Sequence, residues 1–161
     1  MKFVQITENK KRFLPLLLLA DEQENMINEY LEPGTMYVLV EREEKGMTSE
    51  SVIQAEEARV VCVVTDEGNG VLELKNLAVA PEYQRQGYGR RMIEFLKAQY
   101  SGMFHLFQVG TGDSPLTIPF YEACGFRRSH IVKDFFIKYY DHPIYDAGVK
   151  LCDMIYLQME L

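Results

Sequence analysis

Residues 84 to 91 read Gln84-Arg85-Gln86-Gly87-Tyr88-Gly89-Arg90-Arg91, with two glycines and three arginines at the start of a helical stretch. A helix start leaves backbone N–H groups unpaired and carries a partial positive charge, so it suits a diphosphate. Gly87 and Gly89 remove Cβ atoms where a backbone must come close to a ligand. The whole chain is acidic, with 17 Lys and Arg against 24 Asp and Glu for a net charge of −7. Arg85, Arg90 and Arg91 therefore stand out as a local concentration of positive charge, the mark of an anion site. Two glycines alone also describe an ordinary glycine-bearing helix start. A dinucleotide fingerprint needs a third Gly or Ala where this chain has Met92, and a P-loop needs Gly-Lys followed by Ser or Thr, which is absent.

The apolar run Leu77-Ala78-Val79-Ala80-Pro81 precedes this segment. Together with Gln84-x-x-Gly87-x-Gly89 it resembles motif A of the GNAT superfamily of N-acetyltransferases. About 35 residues downstream, Phe120-Tyr121-Glu122-Ala123-Cys124-Gly125-Phe126 resembles the second landmark of that superfamily, a Tyr-Glu-x-x-Gly-Phe helix end. Their order and spacing extend the resemblance over nearly the whole chain. It implies a single α/β domain over 1–161, with a mixed, mostly antiparallel central sheet splayed in a V and helices on both faces. It implies acetyl-CoA as co-substrate and transfer of an acetyl group to a primary amine of a small molecule or peptide. The same fold can serve as a non-catalytic CoA-binding regulatory module; the presence of both Glu73 and Tyr121 favours the enzyme. A dinucleotide-dependent oxidoreductase is disfavoured by Met92.

The resemblance also implies roles. Leu77, Ala78 and Val79 would offer backbone groups to the pantetheine arm as an added strand would. Gln84, Arg85, Gln86, Gly87, Tyr88 and Gly89 would cradle the diphosphate, with Arg90 and Arg91 helping from the first helical turn. Arg85 or Arg90 would meet the 3′-phosphate. Glu73, on the strand face of Leu77 and Val79, stands where several members keep a general base, acting directly or through a water; otherwise it is an exposed strand carboxylate between Leu72 and Leu74. The backbone of Leu77 or Val79 would polarise the thioester carbonyl. Tyr121 matches the tyrosine that donates to the leaving thiolate, the alternative being a core aromatic on the helix face of Thr117. Where members often carry Asn, this chain has Ser114, which can still bond the pantetheine and cap the helix that Pro115 opens. Phe120 would flank the same arm.

These groups need a scaffold. Alternation predicts strands over 2–6, 35–41, 59–65, 71–79 and 103–109, and later over 126–136 and 153–160. Helices are expected near Pro15, over 22–31 with an Asp21/Glu24 capping box, over 87–100 and over 114–123. The 87–100 helix would bury Tyr88, Met92, Ile93, Leu96 and Tyr100 on one stripe. Gly125 would stop the 114–123 helix. Residues 42–58, rich in Glu, read as a solvated connection. The acceptor is expected between the early helices and the late loop. Its candidates are Glu29, Tyr30 and Glu32 together with Tyr139, Tyr140, Asp141, His142 and Tyr145, while Phe135, Phe136 and Tyr139 also suit sheet packing. His142, before Pro143, would be a second base or, as is usual for a lone loop histidine, a structural or solvated one.

Composition narrows the class. At 47% hydrophobic residues, with 10 Tyr and 9 Phe, the chain can build a core without disulfides or metal. Its acidity disfavours nucleic acid, whose binding needs a basic face. Cys62, Cys124 and Cys152 show no C-x-x-C spacing, and His105, His130 and His142 show no ligand spacing, so no metal is expected. The basic patch Lys10-Lys11-Arg12 before Phe13-Leu14-Pro15-Leu16-Leu17-Leu18-Leu19-Ala20 imitates a signal peptide. It is followed by Asp21-Glu22-Gln23-Glu24 rather than a cleavage site, and it is far shorter than a membrane span. We read it as a buried amphipathic helix in a cytoplasmic protein. Exposed edge strands and the aromatic tail would allow a homodimer.

Overall fold

The computed structural model describes residues 1–42 and 48–161. Strands β1 (Lys2–Ile6), β2 (Thr35–Val40), β3 (Ala58–Asp66), β4 (Val71–Val79), β5 (Leu106–Gly112), β6 (Arg127–Val132) and β9 (Met154–Glu160) form a seven-stranded sheet in the order β1-β2-β3-β4-β5-β9-β6. Strands β7 (Tyr145–Asp146) and β8 (Val149–Lys150) make a separate hairpin. Among the described residues, five α-helices accompany them: α1 (Leu14–Ala20), α2 (Glu24–Tyr30), α3 (Tyr88–Tyr100), α4 (Thr117–Ala123) and α5 (Phe135–Tyr139). The result is a mixed α/β fold whose strand pairs are mostly antiparallel. Among the described residues, no helix is long and apolar enough to cross a membrane.

The chain divides into two units, one of Met1–Asp66 with Leu74–Tyr100, the other of Glu67–Glu73 with Ser101–Leu161. In the first, β1, β2 and β3 pair antiparallel. The β-branched residues Val38, Val40, Val61 and Val63 are wholly buried with Phe13, Leu17, Ile27 and Leu31. The Leu-rich run is thus partly core: Leu17 is buried, whereas Leu19 is 53% exposed. The Lys10 ammonium, 5% exposed, donates to the carbonyls of Leu31 (2.9 Å), Glu32 (3.1 Å) and Gly34 (2.7 Å), which holds the α2 exit against the start of the chain.

Three expectations in this unit change. Helix α2 starts at Glu24 with Gln23 at its N-cap and no side-chain cap. Asp21 instead accepts from the Tyr30 hydroxyl at 3.0 Å, so the capping box does not form. On α3 the buried stripe is Gly89, Met92, Ile93, Leu96 and Tyr100, with Tyr88 at its edge. The 42–58 connection is not simply solvated. Residues 43–47 fall outside the described residues, but Ile53 is 1% exposed and belongs to the core. Glu50 accepts from the backbone and hydroxyl of Thr7, and Arg42 pairs with Glu57 at 2.8 Å.

In the second unit, β9 pairs antiparallel with both β5 and β6. Strand β5 begins at Leu106 rather than near 103, because Gly102 (φ +80°) turns the chain and the N–H groups of His105 and Leu106 both go to the Gly70 carbonyl. The expected strand over 126–136 ends at Val132. Asp134 takes a left-handed φ of +57°, and Phe135–Tyr139 coils into α5 instead of extending.

Candidate active site

The loop between β4 and α3 is built for close approach by a ligand. Pro81–Tyr83 forms one 3-10 turn, and the Gln84 side chain donates to the Val79 carbonyl at 3.0 Å. Positive φ at Arg85 (+60°) and Gly87 (+85°) then turns the backbone into the helix. The first bond of α3 runs from the Arg91 N–H to the Gly87 carbonyl at 3.1 Å, so the N–H groups of Gly87, Tyr88, Gly89 and Arg90 precede the ladder. A Cβ on Gly87 would meet nothing within 4 Å. Glycine is required there by the dihedral, and the space beside it is open. Gly89 is buried on the inner face of α3, whereas Gln84, Arg85, Gln86, Arg90 and Arg91 are exposed. Leu77 and Val79 are half-buried and Ala78 is buried.

Arg59 of β3 braces this loop. Its guanidinium lies 4.3 Å from the Tyr83 ring centre and 5.4 Å from that of Tyr88, and it donates to the Tyr88 hydroxyl at 2.6 Å while pairing with Glu41. The two rings meet edge to face at 6.0 Å. Cation–π contact and a charge-assisted bond thus fix both tyrosines from one side chain. The Arg91 guanidinium sits 5.7 Å from the Tyr88 ring centre. Arg59 was not among the expected site residues. The signal for it was faint, a lone charge at the head of an otherwise β-branched strand.

In the second unit, Glu73 is 4% exposed, which removes the exposed-carboxylate alternative. The Gln108 amide donates to its Oε1 at 2.5 Å, and Gln158 donates to the Gln108 carbonyl oxygen at 3.3 Å. This relay fixes which end of the Gln108 amide faces the carboxylate. Gln108 also escaped the sequence reading, although a polar residue between Phe107 and Val109, both buried, is a recognisable anomaly.

The motif around Tyr121 has a structural cause. Gly125, at φ +107°, donates to the Glu122 carbonyl at 3.0 Å, and Phe126 donates to the Tyr121 carbonyl at 3.1 Å. These are the two bonds of a Schellman cap, which wants glycine just past the helix and an apolar residue after it. The accompanying apolar contact is Tyr121 against Phe126, edge to face at 5.6 Å, with Phe120 against the other side of Tyr121 at 5.1 Å. Burial pushes the Tyr121 phenol above its ordinary pKa, and neighbouring Cys124 adds to the shift. Among the described residues its hydroxyl has no hydrogen-bond partner. The Ser114 hydroxyl, buried, accepts from the Leu116 N–H at 3.2 Å in the turn before α4, which starts at Thr117 rather than at 114.

The acceptor candidates separate. Tyr30 is committed to the first unit's core, accepting from the Asn76 amide at 3.1 Å and donating to Asp21, so it is not a wall for an acceptor. Glu29 and Glu32 are exposed. In the second unit, Tyr140, Asp141 and His142 line one cavity, whereas Tyr139 and Tyr145 are each 56% exposed.

The sequence profile of the acetyltransferase (GNAT) domain matches residues 32–128, and the chain belongs to that family. It is 30% identical to the uncharacterized N-acetyltransferase YvbK of Bacillus subtilis (strain 168), over 96% of this chain and 92% of that protein. A GNAT family acetyltransferase from Elizabethkingia anophelis with acetyl-CoA bound is similar in structure, with a TM-score of 0.85 and 29% identity over 99% of this chain and 97% of that one. A Bacillus subtilis acetyltransferase in complex with CoA gives a TM-score of 0.83 at 27% identity, over 99% and 98% of the two chains.

Proposed function

We propose that the chain, acting as one domain over 1–161, is an acetyl-CoA-dependent N-acetyltransferase that acetylates a primary amine of a small molecule or peptide. The Tyr121 hydroxyl carries this reading: it is buried, holds its proton, and has no partner of its own among the described residues. Similarity to relatives that hold acetyl-CoA and CoA supports the choice of co-substrate. Acetyl-CoA would supply an activated acyl group on a thioester.

In this reading the N–H groups of residues 87–90 receive the diphosphate, with the charges of Arg85, Arg90 and Arg91 around it. Leu77, Ala78 and Val79 align the pantetheine arm by backbone bonds, with Ser114 and Phe120 beside it, and an N–H of Leu77 or Val79 polarises the thioester carbonyl. Glu73, oriented by Gln108, takes the proton of the incoming ammonium, directly or through water, since only the free amine has a lone pair to attack. Tyr121 gives its proton to the departing sulfur. Buried thiols such as Cys62 suit a reducing cytoplasm.

Thiol release from acetyl-CoA, measured against a panel of primary amines and peptides, tests the reaction. Calorimetric titration with acetyl-CoA tests the binding loop separately. Acceptor-dependent release with micromolar binding is expected; absence of heat with acetyl-CoA would overturn the reading.

A further inference from the structure

The loop that leaves β4 at Ala80 and enters α3 at Tyr88 has little apolar contact to hold it. Pro81, Glu82 and residues 84–87 are exposed, and Tyr83 and Tyr88 are half-buried. Arg85 sits at a positive φ that costs energy for any residue with a side chain. Exposed loops with few buried contacts belong to the least stable parts of a fold. A cradle made of backbone N–H groups nevertheless binds well only if those groups are already aimed together. Among the described residues, the side-chain bonds within the loop are local. Gln84 reaches the Val79 carbonyl and Gln86 the Glu82 carbonyl, spans of five and four residues.

One residue from a neighbouring strand touches the loop at its beginning, middle and end. The Arg59 carbonyl accepts from the Ala80 N–H at 2.8 Å, which fixes the exit from β4. Its guanidinium stands 4.3 Å from the Tyr83 ring centre and donates to the Tyr88 hydroxyl at 2.6 Å. The Tyr88 ring in turn meets the Arg91 guanidinium, so the same contacts orient an arginine at the helix entrance. Arg59 is not spare charge for a phosphate. Its side chain is 14% exposed, and Glu41 pairs with it. A planar fork of five N–H donors can serve a carboxylate, a hydroxyl and two ring faces together, which the point charge of lysine cannot.

We propose that Arg59 is a positioning residue for the co-substrate: from β3 it holds the Ala80–Tyr88 loop in the shape that receives the diphosphate, without touching the diphosphate itself. The proposal rests on the acetyltransferase reading for the identity of that ligand. Without the brace, the fraction of molecules with a formed cradle falls, and apparent affinity falls by the same factor. Calorimetry with acetyl-CoA is set beside amide shifts on titration with S-acetylpantetheine, which carries the same thioester but no diphosphate. Arg59→Met is expected to weaken acetyl-CoA by roughly tenfold or more, from loss of a charge-assisted bond and cation–π contact, and to leave S-acetylpantetheine as before. Arg59→Lys keeps the charge beside Glu41 but not the fork, and should recover only part of the loss. Tyr88→Phe keeps the ring and severs the Arg59 bond, so it should weaken acetyl-CoA less, and add little when combined with Arg59→Met. With any amine that is turned over, KM for acetyl-CoA should rise in these variants while kcat holds. Wild-type acetyl-CoA affinity in Arg59→Met or Tyr88→Phe, or full recovery in Arg59→Lys, overturns the proposal and leaves the acetyltransferase reading intact. An equal loss for acetyl-CoA and S-acetylpantetheine is general damage to the fold and overturns it as well. Failure of the wild-type chain to bind acetyl-CoA overturns that reading, and this assignment with it.

Discussion

The Gln108 side-chain amide and the Glu73 carboxylate are joined by a 2.5 Å hydrogen bond between residues 35 apart in sequence. Gln158 fixes the amide from behind, so the carboxylate is held in one orientation on a buried strand. Glu73→Gln is expected to lower kcat by about 10²-fold or more, the usual loss for a positioned general base, with acetyl-CoA affinity unchanged by calorimetry. Gln108→Leu should lower kcat less, because the base remains but its orientation does not.

Tyr121→Phe keeps the ring that packs against Phe120 and Phe126 and removes only the hydroxyl. Steady-state thiol release should fall by roughly 10²-fold with the denaturation midpoint little changed. Because burial raises the phenol above its ordinary pKa, the wild-type rate should show no alkaline loss from Tyr121 near pH 10.

The Cys62 thiol, wholly buried, is pushed from its ordinary 9.0 up to about 12 by desolvation. Between those values the unfolded chain has lost a proton that the folded chain keeps, so stability falls as pH rises. The contribution is complete below pH 9, and the slope is about 1.4 kcal/mol per pH unit for this one group. Above pH 10, Tyr30, Tyr37 and Tyr121, all shifted upward by burial, steepen the decline. Urea midpoints measured from pH 8 to 11 check this, and Cys62→Ala should flatten the first part of the curve.

Lys10→Met replaces an ammonium bonded to three carbonyls with an apolar side chain of similar length. Those of Leu31 and Gly34 are met at 2.9 and 2.7 Å in buried surroundings. A loss of about 3 kcal/mol is expected from stranding them, read as a lowered urea midpoint with unchanged slope.

The readable parts of the chain were those in which local requirements and tertiary ones coincide. Val60, Val61, Cys62, Val63 and Val64 suit only a buried strand, and the spacing of Tyr121, Gly125 and Phe126 is dictated by a helix cap. The partnership of Glu73 with Gln108 was hidden because it joins two strands that nothing local brings together. Phe135-Phe136-Ile137 is apolar enough for strand or helix, and the left-handed Asp134 decided for helix. Tyr30 looked like an acceptor contact, yet helix α2 turns it inward to Asp21 and Asn76. Which way a side chain points on a short helix depends on a start residue that composition leaves open by a turn.

Strand β6 ends the sheet with all six of its residues exposed. A bare margin of this kind invites a foreign strand to add on, and from there fibrous growth. Its composition opposes that outcome. Arg127 and Arg128 put two like charges at its head, and the irregular register between Arg128 and His130 breaks the flat row of amides an incoming segment would need. Neutralising both arginines would turn this border into a template for self-association while leaving the chemistry of Glu73 and Tyr121 untouched.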